Sequence, residues 1–204
     1  SSEGNDETAE VYAAGAPAVG TKPRNPQGAI RPFKTIDAAL GAVRNGMPDW
    51  VLLRRGDTWR EARIRPRNGR SRTEPSVVCA YGEADERPVI RGQNGGLGIR
   101  EAEHVVVMDL DLYSSFLDPE AEDYGLDDAE KLTRRMAKLG ISITSGWDKP
   151  TRNVLIENCR TRFTGFSVRR WTLPMTNVVL RRNIILDKYV PRGHTMGLWG
   201  AYAS

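Results

Sequence analysis

Arginine and tryptophan in the C-terminal third are the residues best placed to do chemistry. Arg160, Arg162, Arg169, Arg170, Arg181, Arg182, Lys188 and Arg192 share this stretch with Trp147, Trp171 and Trp199. Residues 131–204 hold 14 Lys and Arg against three acids (Asp148, Glu157 and Asp187), a net +11; residues 1–130 hold −7, and the chain as a whole +4. Such a basic third draws in a polyanion, whether nucleic acid, anionic lipid or acidic polysaccharide. Guanidinium groups on a regular lattice match the repeating carboxylates or sulfates of a glycan, with bidentate geometry in their favour. Indoles near strand ends add surfaces on which sugar rings stack. No nucleic-acid reading motif accompanies these residues, which makes nucleic acid the weakest partner class.

Acid–base chemistry has fewer candidates. Elimination at a uronate needs a base for the C5 proton and a cation on the adjacent carboxylate. Lys149 and Arg170, 21 residues apart, are close enough in the chain to meet in one groove. Hydrolysis needs two carboxylates instead, and Asp109 and Asp111 on one extended segment would stand about 7 Å apart, inside the permitted range. The same two acids, with the acidic stretch 118–130, offer oxygen ligands to calcium, although no EF-hand spacing is present. They serve equally as surface acids or as partners of Arg160. His194, in Gly193-His194-Thr195, is a candidate acid or base, or an exposed loop histidine. The chain has no CxxC or HExxH, so a zinc site is not expected. Cys79 lies in the apolar run 76–80 and Cys159 follows Val154-Leu-Ile-Glu-Asn158; both read as buried small hydrophobes.

The elements that position these residues follow from internal repeats. Asn153-Val-Leu-Ile-Glu-Asn158 aligns with Asn177-Val-Val-Leu-Arg-Arg182 at an interval of 24, and His104-Val-Val-Val-Met-Asp109 begins 49 before Asn153. Trp50-Val-Leu-Leu53 and Ser76-Val-Val-Cys79 extend the series. A second marker, Gly140-Ile-Ser-Ile143, recurs 25 residues later as Gly165-Phe-Ser-Val168, with Gly197-Leu-Trp199 a further 32 on. Two short β-branched strands per unit, about five units in all, suit a coil of parallel strands, and the i, i+3, i+4 spacing of a helical repeat is missing. Alternation turns Val105, Val107, Leu110, Leu112, Val154, Ile156, Cys159, Val178, Leu180 and Ile185 inward. It turns Asp109 and Asp111 outward, with Arg160 above Asp111 and Arg162 above Tyr113. Cys79 and Cys159 fall two rungs apart, about 10 Å at the strand spacing, too far for a disulfide.

Two helices are expected. The first covers 36–45, with Thr35 as N-cap, a stripe of Ile36, Ala39, Leu40 and Val43, and Gly46 as its stop. It would cover the open N-terminal end of the coil. The second lies in an insertion over 114–139, with Asp127 and Glu130 at capping-box spacing and Leu132, Met136 and Leu139 as its stripe. Residues 1–30 form an extension, and 31–204 the coil. At 39% hydrophobic and 27% charged the chain is not disordered, and no run of 18 apolar residues spans a membrane. No signal-peptide pattern opens it. Its last residues lie on a rung strand, which predicts a coil that continues beyond them or is covered end to end by another copy.

Pro32-Phe33-Lys34-Thr35-Ile36, the helix after it, and Asp49-Trp-Val-Leu-Leu53-Arg-Arg-Gly56-Asp57-Thr58-Trp59 resemble the N-terminal part of right-handed parallel β-helix proteins of the pectin-lyase-like superfamily. Gly4-Asn5-Asp6 resembles the Gly-x-Asp that often precedes that segment. The resemblance implies an all-β fold, a right-handed parallel β-helix with an N-terminal capping helix and one helical insertion. It also implies a secreted, periplasmic or cell-surface protein acting on polysaccharide laid along an outward face of the coil. Residues 149–170 resemble, faintly, the Lys…Asn-Val…Asn…Gly…Arg rung of alginate lyases and chondroitinase B, which implies Lys149 as base and Arg170 as its helper. The match departs at several points. Lys149 sits in a Trp-Asp-Lys-Pro loop rather than at a strand end, where Gly146 stands. Ser142 and Thr144 occupy the places of upstream calcium ligands, and Arg170-Trp171-Thr172 replaces Arg-His-Gly.

The expectation is an acidic-polysaccharide-binding protein that cleaves by β-elimination. Lys149 and Arg170 are its catalytic pair, Arg160, Arg162, Arg169, Trp171, Arg182 and His194 contact substrate, and Asp109 and Asp111 are the site for calcium if one is used. A non-catalytic adhesion or assembly protein is the alternative, and a two-carboxylate glycoside hydrolase the next.

Overall fold

The computed structural model describes residues 1–60, 62–92, 96–124 and 140–187, and the backbone of 198–201. Its strands come in successive threes. The first set is β1 (Trp50–Arg54), β2 (Thr58–Arg60) and β3 (Arg63–Ile64); the second is β4 (Ser76–Tyr81), β5 (Val89–Arg91) and β6 (Gly96–Arg100). Next come β7 (Glu103–Met108), β8 (Asp111–Tyr113) and β9 (Gly140–Thr144), then β10 (Thr151–Glu157), β11 (Arg160–Arg162) and β12 (Phe166–Arg169). The last are β13 (Met175–Arg181), β14 (Ile184–Leu186) and β15 (Leu198–Ala201). Each strand pairs in parallel with the third one after it, giving three five-stranded sheets, β1-β4-β7-β10-β13, β2-β5-β8-β11-β14 and β3-β6-β9-β12-β15. The protein is therefore all-β with three parallel sheets and few helices, an arrangement compatible with a coil.

The repeats locate all five strands of the first sheet. The stretch at 153 pairs as aligned, Val154 with Val105 and with Val178. The earlier intervals are one residue longer than the starting points imply, since Trp50 pairs with Val77 and Ser76 with Val105. Three strands per unit, not two, is the larger difference. Strands of the second sheet are only three residues long, too short for a period of two to register.

Inward residues behave as expected. Val105, Val107, Leu110, Leu112, Val154, Ile156 and Cys159 are buried, and Val178, Leu180 and Ile185 pack against them. Both cysteines are buried and unbridged, and burial pushes the Cys79 thiol up to about 11 and Cys159 to about 12. The aligned His104, Asn153 and Asn177 share a left-handed backbone, with φ of 59°, 54° and 50°. Asn tolerates this region because its short polar side chain bonds locally. Here Asn177 Nδ2 donates to Asn153 Oδ1 at 2.7 Å, and Asn153 Nδ2 lies 3.2 Å from His104 Nδ1.

Helix α1 spans Ile36–Gly41, shorter than the expected 36–45; it ends on Ala42 as C-cap, and Gly46, at φ +77°, lies in the turn beyond. Thr35 is its N-cap as expected, its hydroxyl accepting from Ala38 N at 3.2 Å. Asp6 holds the cap in turn, accepting from the Lys34 and Thr35 amides at 2.7 and 3.0 Å and from the Thr35 hydroxyl at 2.8 Å. The Thr35 amide is the main reason its carboxyl lies below the ordinary range. Gly4 passes so close to the chain that a Cβ would collide with the Pro32 carbonyl oxygen, which explains the small residue two places before that aspartate. In the expected insertion, Ser115–Leu117 form a short 3-10 helix; the helix expected around 127–139 lies outside the described residues. Among the described residues no helix is long and apolar enough to cross a membrane.

Candidate functional site

The outward face of the third sheet forms a slot of about 250 Å³. Alternation sends Leu97, Ile99, Ile141, Ile143 and Phe166 into the core, so the residues between them face out. Pairing then stacks these outward residues in columns: Gly98 beside Ser142 beside Ser167, and Arg100 beside Thr144 beside Arg169. Arg63 starts a third column with Gly96 and Gly140. These two glycines are obligatory. They hold φ of +146° and +95°, and a Cβ on Gly96 would come within 2.7 Å of the Gly140 carbonyl oxygen. A low floor of Gly and Ser thus lies between cationic walls.

Two tryptophans form the rim. Trp147 and Trp171 are 64% and 53% exposed, with ring centroids 6.3 Å apart and planes inclined at 33°. Exposing two large indoles is costly in water, so a pair held side by side is an offered surface. Arg169 lies 5.8 Å from the Trp171 ring centroid, within cation–π range. Trp171 is pinned through its amide, which donates to the buried Ser145 hydroxyl at 2.9 Å. Arg63 reaches over Gly98, where a Cβ would stand 3.3 Å from its Nη2. Burial, and then the neighbouring Arg65, lower the pKa of Arg63. No carboxylate pairs with Arg63 among the described residues. A slot of this composition can hold an anionic, ring-containing chain: guanidinium groups for its carboxylates or sulfates, hydroxyls for its polar edges, indoles for its ring faces.

The residues expected from sequence divide between this slot and other places. Arg169 and Trp171 line it, as does Trp147. Lys149 is exposed on the loop that carries Trp147, and Arg170 lies between Arg169 and Trp171; neither lines the slot. Arg160 and Arg162 belong to the second sheet. Both close on Asp111, with Nε contacts of 3.0 and 3.2 Å, and the Arg162 guanidinium also covers the Tyr113 ring at 4.0 Å. Arg160 does stand beside Asp111, and Arg162 beside Tyr113, as the alternation predicts. Asp111 keeps the outward register expected, but it is not an exposed acid: its side chain has no exposure at all beneath the two guanidiniums. Asp109 occupies the left-handed corner before β8, at φ +62°, so the two acids do not continue one strand face. Asp109 is taken by Arg24 and by Asn158 Nδ2 at 2.6 Å. No group of three or more potential metal ligands occurs among the described residues. Arg182 lies at the corner after β13, 3.2 Å from Glu157. His194, Lys188 and Arg192 lie outside the described residues.

No protein-family model, curated protein or solved structure matches the chain. Arg63 and Arg100 are the slot residues that sequence reading missed. A signal for Arg100 was present: Gly96-Leu-Gly-Ile-Arg100 has the same form as Gly140-Ile-Ser-Ile-Thr144 and Gly165-Phe-Ser-Val-Arg169. Arg63, on a two-residue strand, has no such pattern.

Proposed function

We propose that the chain forms a right-handed parallel β-helix of the pectin-lyase-like kind that binds an acidic polysaccharide in this slot and cleaves it by β-elimination. One observation carries the reading: three arginines and two exposed, adjacent tryptophans converge over a floor of Gly and Ser on one outward sheet face. The threefold alternation of strands among parallel sheets supports the coil. Arg100 and Arg169 are suited to neutralise a uronate carboxylate. For proton removal the family resemblance names Lys149, helped by Arg170. Among the described residues, none that lines the slot is a carboxylate, His or Lys. That disfavours two-carboxylate hydrolysis there, and it favours, as the second reading, a protein that holds the glycan without cutting it.

Alginate, pectate and chondroitin, each with and without calcium, test both readings. Ultraviolet absorbance of the unsaturated product reports elimination, and calorimetry reports binding. The expected result is binding of an acidic glycan but not of a neutral one, with product formation lost in Lys149→Ala. Binding without product supports the non-catalytic reading. Absence of binding to all three overturns both.

A further inference from the structure

The geometry points to Glu101 as a positioning residue for sugar binding, one that sets the Trp147 indole beside Trp171 and steers Arg100 along the slot wall. This rests on the reading of the slot as a glycan site. Glu101 occupies the left-handed corner between β6 and β7, at φ +53°, and its own amide donates to the Thr144 carbonyl at 3.2 Å. Its carboxylate reaches the loop after β9, where Oε1 accepts the Trp147 amide at 3.2 Å. Gly146 makes that reach possible, because any Cβ there would collide with the Glu101 carboxylate. The same oxygen lies 3.8 Å from Arg100 Nε, an ion pair too long to saturate the guanidinium. One carboxylate just outside the slot therefore touches both its aromatic rim and its cationic wall.

The neighbouring loop is tied in the same way. Ser145 donates its amide to the Arg169 carbonyl at 3.2 Å and receives the Trp171 amide on its hydroxyl, while the Leu173 amide donates to the Gly146 carbonyl at 3.4 Å. Trp147 thus hangs from Glu101 and Trp171 from Ser145, and the two loops are joined through residues 145 and 146. Indole separation is consequently set by backbone anchors rather than by the mutual packing of two exposed rings. A rim fixed in advance spares the bound sugar the entropy of ordering two large side chains.

Two close indoles couple in far-ultraviolet circular dichroism, which gives a readout independent of any ligand. Trp147→Phe assigns the couplet in the otherwise unchanged protein. Glu101→Ala is expected to abolish the couplet and to weaken binding of whichever of alginate, pectate or chondroitin oligosaccharides the parent binds by about tenfold, the typical effect of losing one charge-assisted hydrogen bond. Glu101→Gln keeps an acceptor for the Trp147 amide and removes the charge beside Arg100. It is expected to retain the couplet and to bind the anionic oligosaccharide more tightly than the parent. An unchanged couplet in Glu101→Ala, or a lost couplet in a folded Glu101→Gln, overturns the assignment. If the parent binds none of the three, the reading of the slot fails, while the couplet still decides whether Glu101 sets the indoles.

Discussion

Arginines stand on the outward faces of both the second and the third sheet, and their surroundings are opposite. On the second sheet Arg160 and Arg162 converge on Asp111, which has no exposure, and Arg162 also covers Tyr113. Residues 114–124 fold over this side. Phe116 and Leu117 are buried there, and Asp123 binds Arg91 at 2.9 Å and the Ser115 hydroxyl at 2.7 Å. On the third sheet Arg63, Arg100 and Arg169 border the slot beside two exposed indoles. The difference teaches that arginine density on a strand lattice does not locate a binding site. A guanidinium sealed over a carboxylate is part of the fold, whereas one bordering small residues and exposed indoles stands where a ligand can reach it.

The comparison can be broken most severely at Asp111. Asp111→Ala leaves two partly buried guanidiniums without their counter-charge, and unfolding free energy should fall by about 3 kcal/mol, as for other broken buried pairs. Denaturant titration measures it. Arg100→Ala on the other face should alter stability by no more than about 0.5 kcal/mol, as an exposed substitution does. A similar loss in both variants would mean that the two faces are not distinct.

The rim supplies the next largest effect. Trp147→Ala together with Trp171→Ala should cost about 2 kcal/mol of glycan affinity, the scale of aromatic hot spots, with little change in unfolding midpoint. Calorimetry on the doubly substituted protein checks it.

Acid separates the faces more gently. Burial raises the Asp123 pKa, but bonds from Ser115 and Arg91 outweigh it and leave the carboxyl below its ordinary value. A carboxyl depressed on folding contributes stability that is complete above its unfolded pKa and disappears as pH falls through the folded value. Docking of residues 114–124 should therefore weaken below about pH 4, the ordinary carboxylate range, and Asp123→Asn should remove that dependence. The described residues lining the slot include no carboxylate, so acid should act on glycan binding through the ligand's carboxylates and through Glu101 beside Arg100. Hydrogen exchange of the 114–124 amides against pH, beside glycan binding over the same range, measures the two.

Legibility in the sequence followed strand length and alternation. Strands of five to seven residues in the first sheet announced themselves through β-branched alternation and the His104, Asn153 and Asn177 positions. The left-handed backbone at those three positions explains why Asn recurs there. Three-residue strands of the second sheet carried no such period. Within the slot, Trp147, Arg169 and Trp171 were visible as types near strand ends, and Arg100 was concealed in a glycine-marked repeat that was read only from Gly140 onward. Lys149 and Arg170 are near neighbours of the slot in the chain, but proximity along a chain does not say which way a side chain turns.

Residue order alone determined the inward row, because alternation on an extended chain is local and burial of Val, Ile and Leu is favourable wherever the chain folds. It also determined the N-cap at Thr35 and the unbridged state of the two thiols. Only the tertiary structure decided which arginines are sealed over a carboxylate and which border the slot. That outcome depends on what a neighbouring strand, a covering loop or a corner residue brings within a few ångströms, and pairing over 24 to 49 residues sets it. Asp111 and Arg160 look alike to a reader of the chain whether they face water or each other. The register that places them together buries the carboxylate beneath the guanidinium, and the register that places Arg100 beside Thr144 lines the slot.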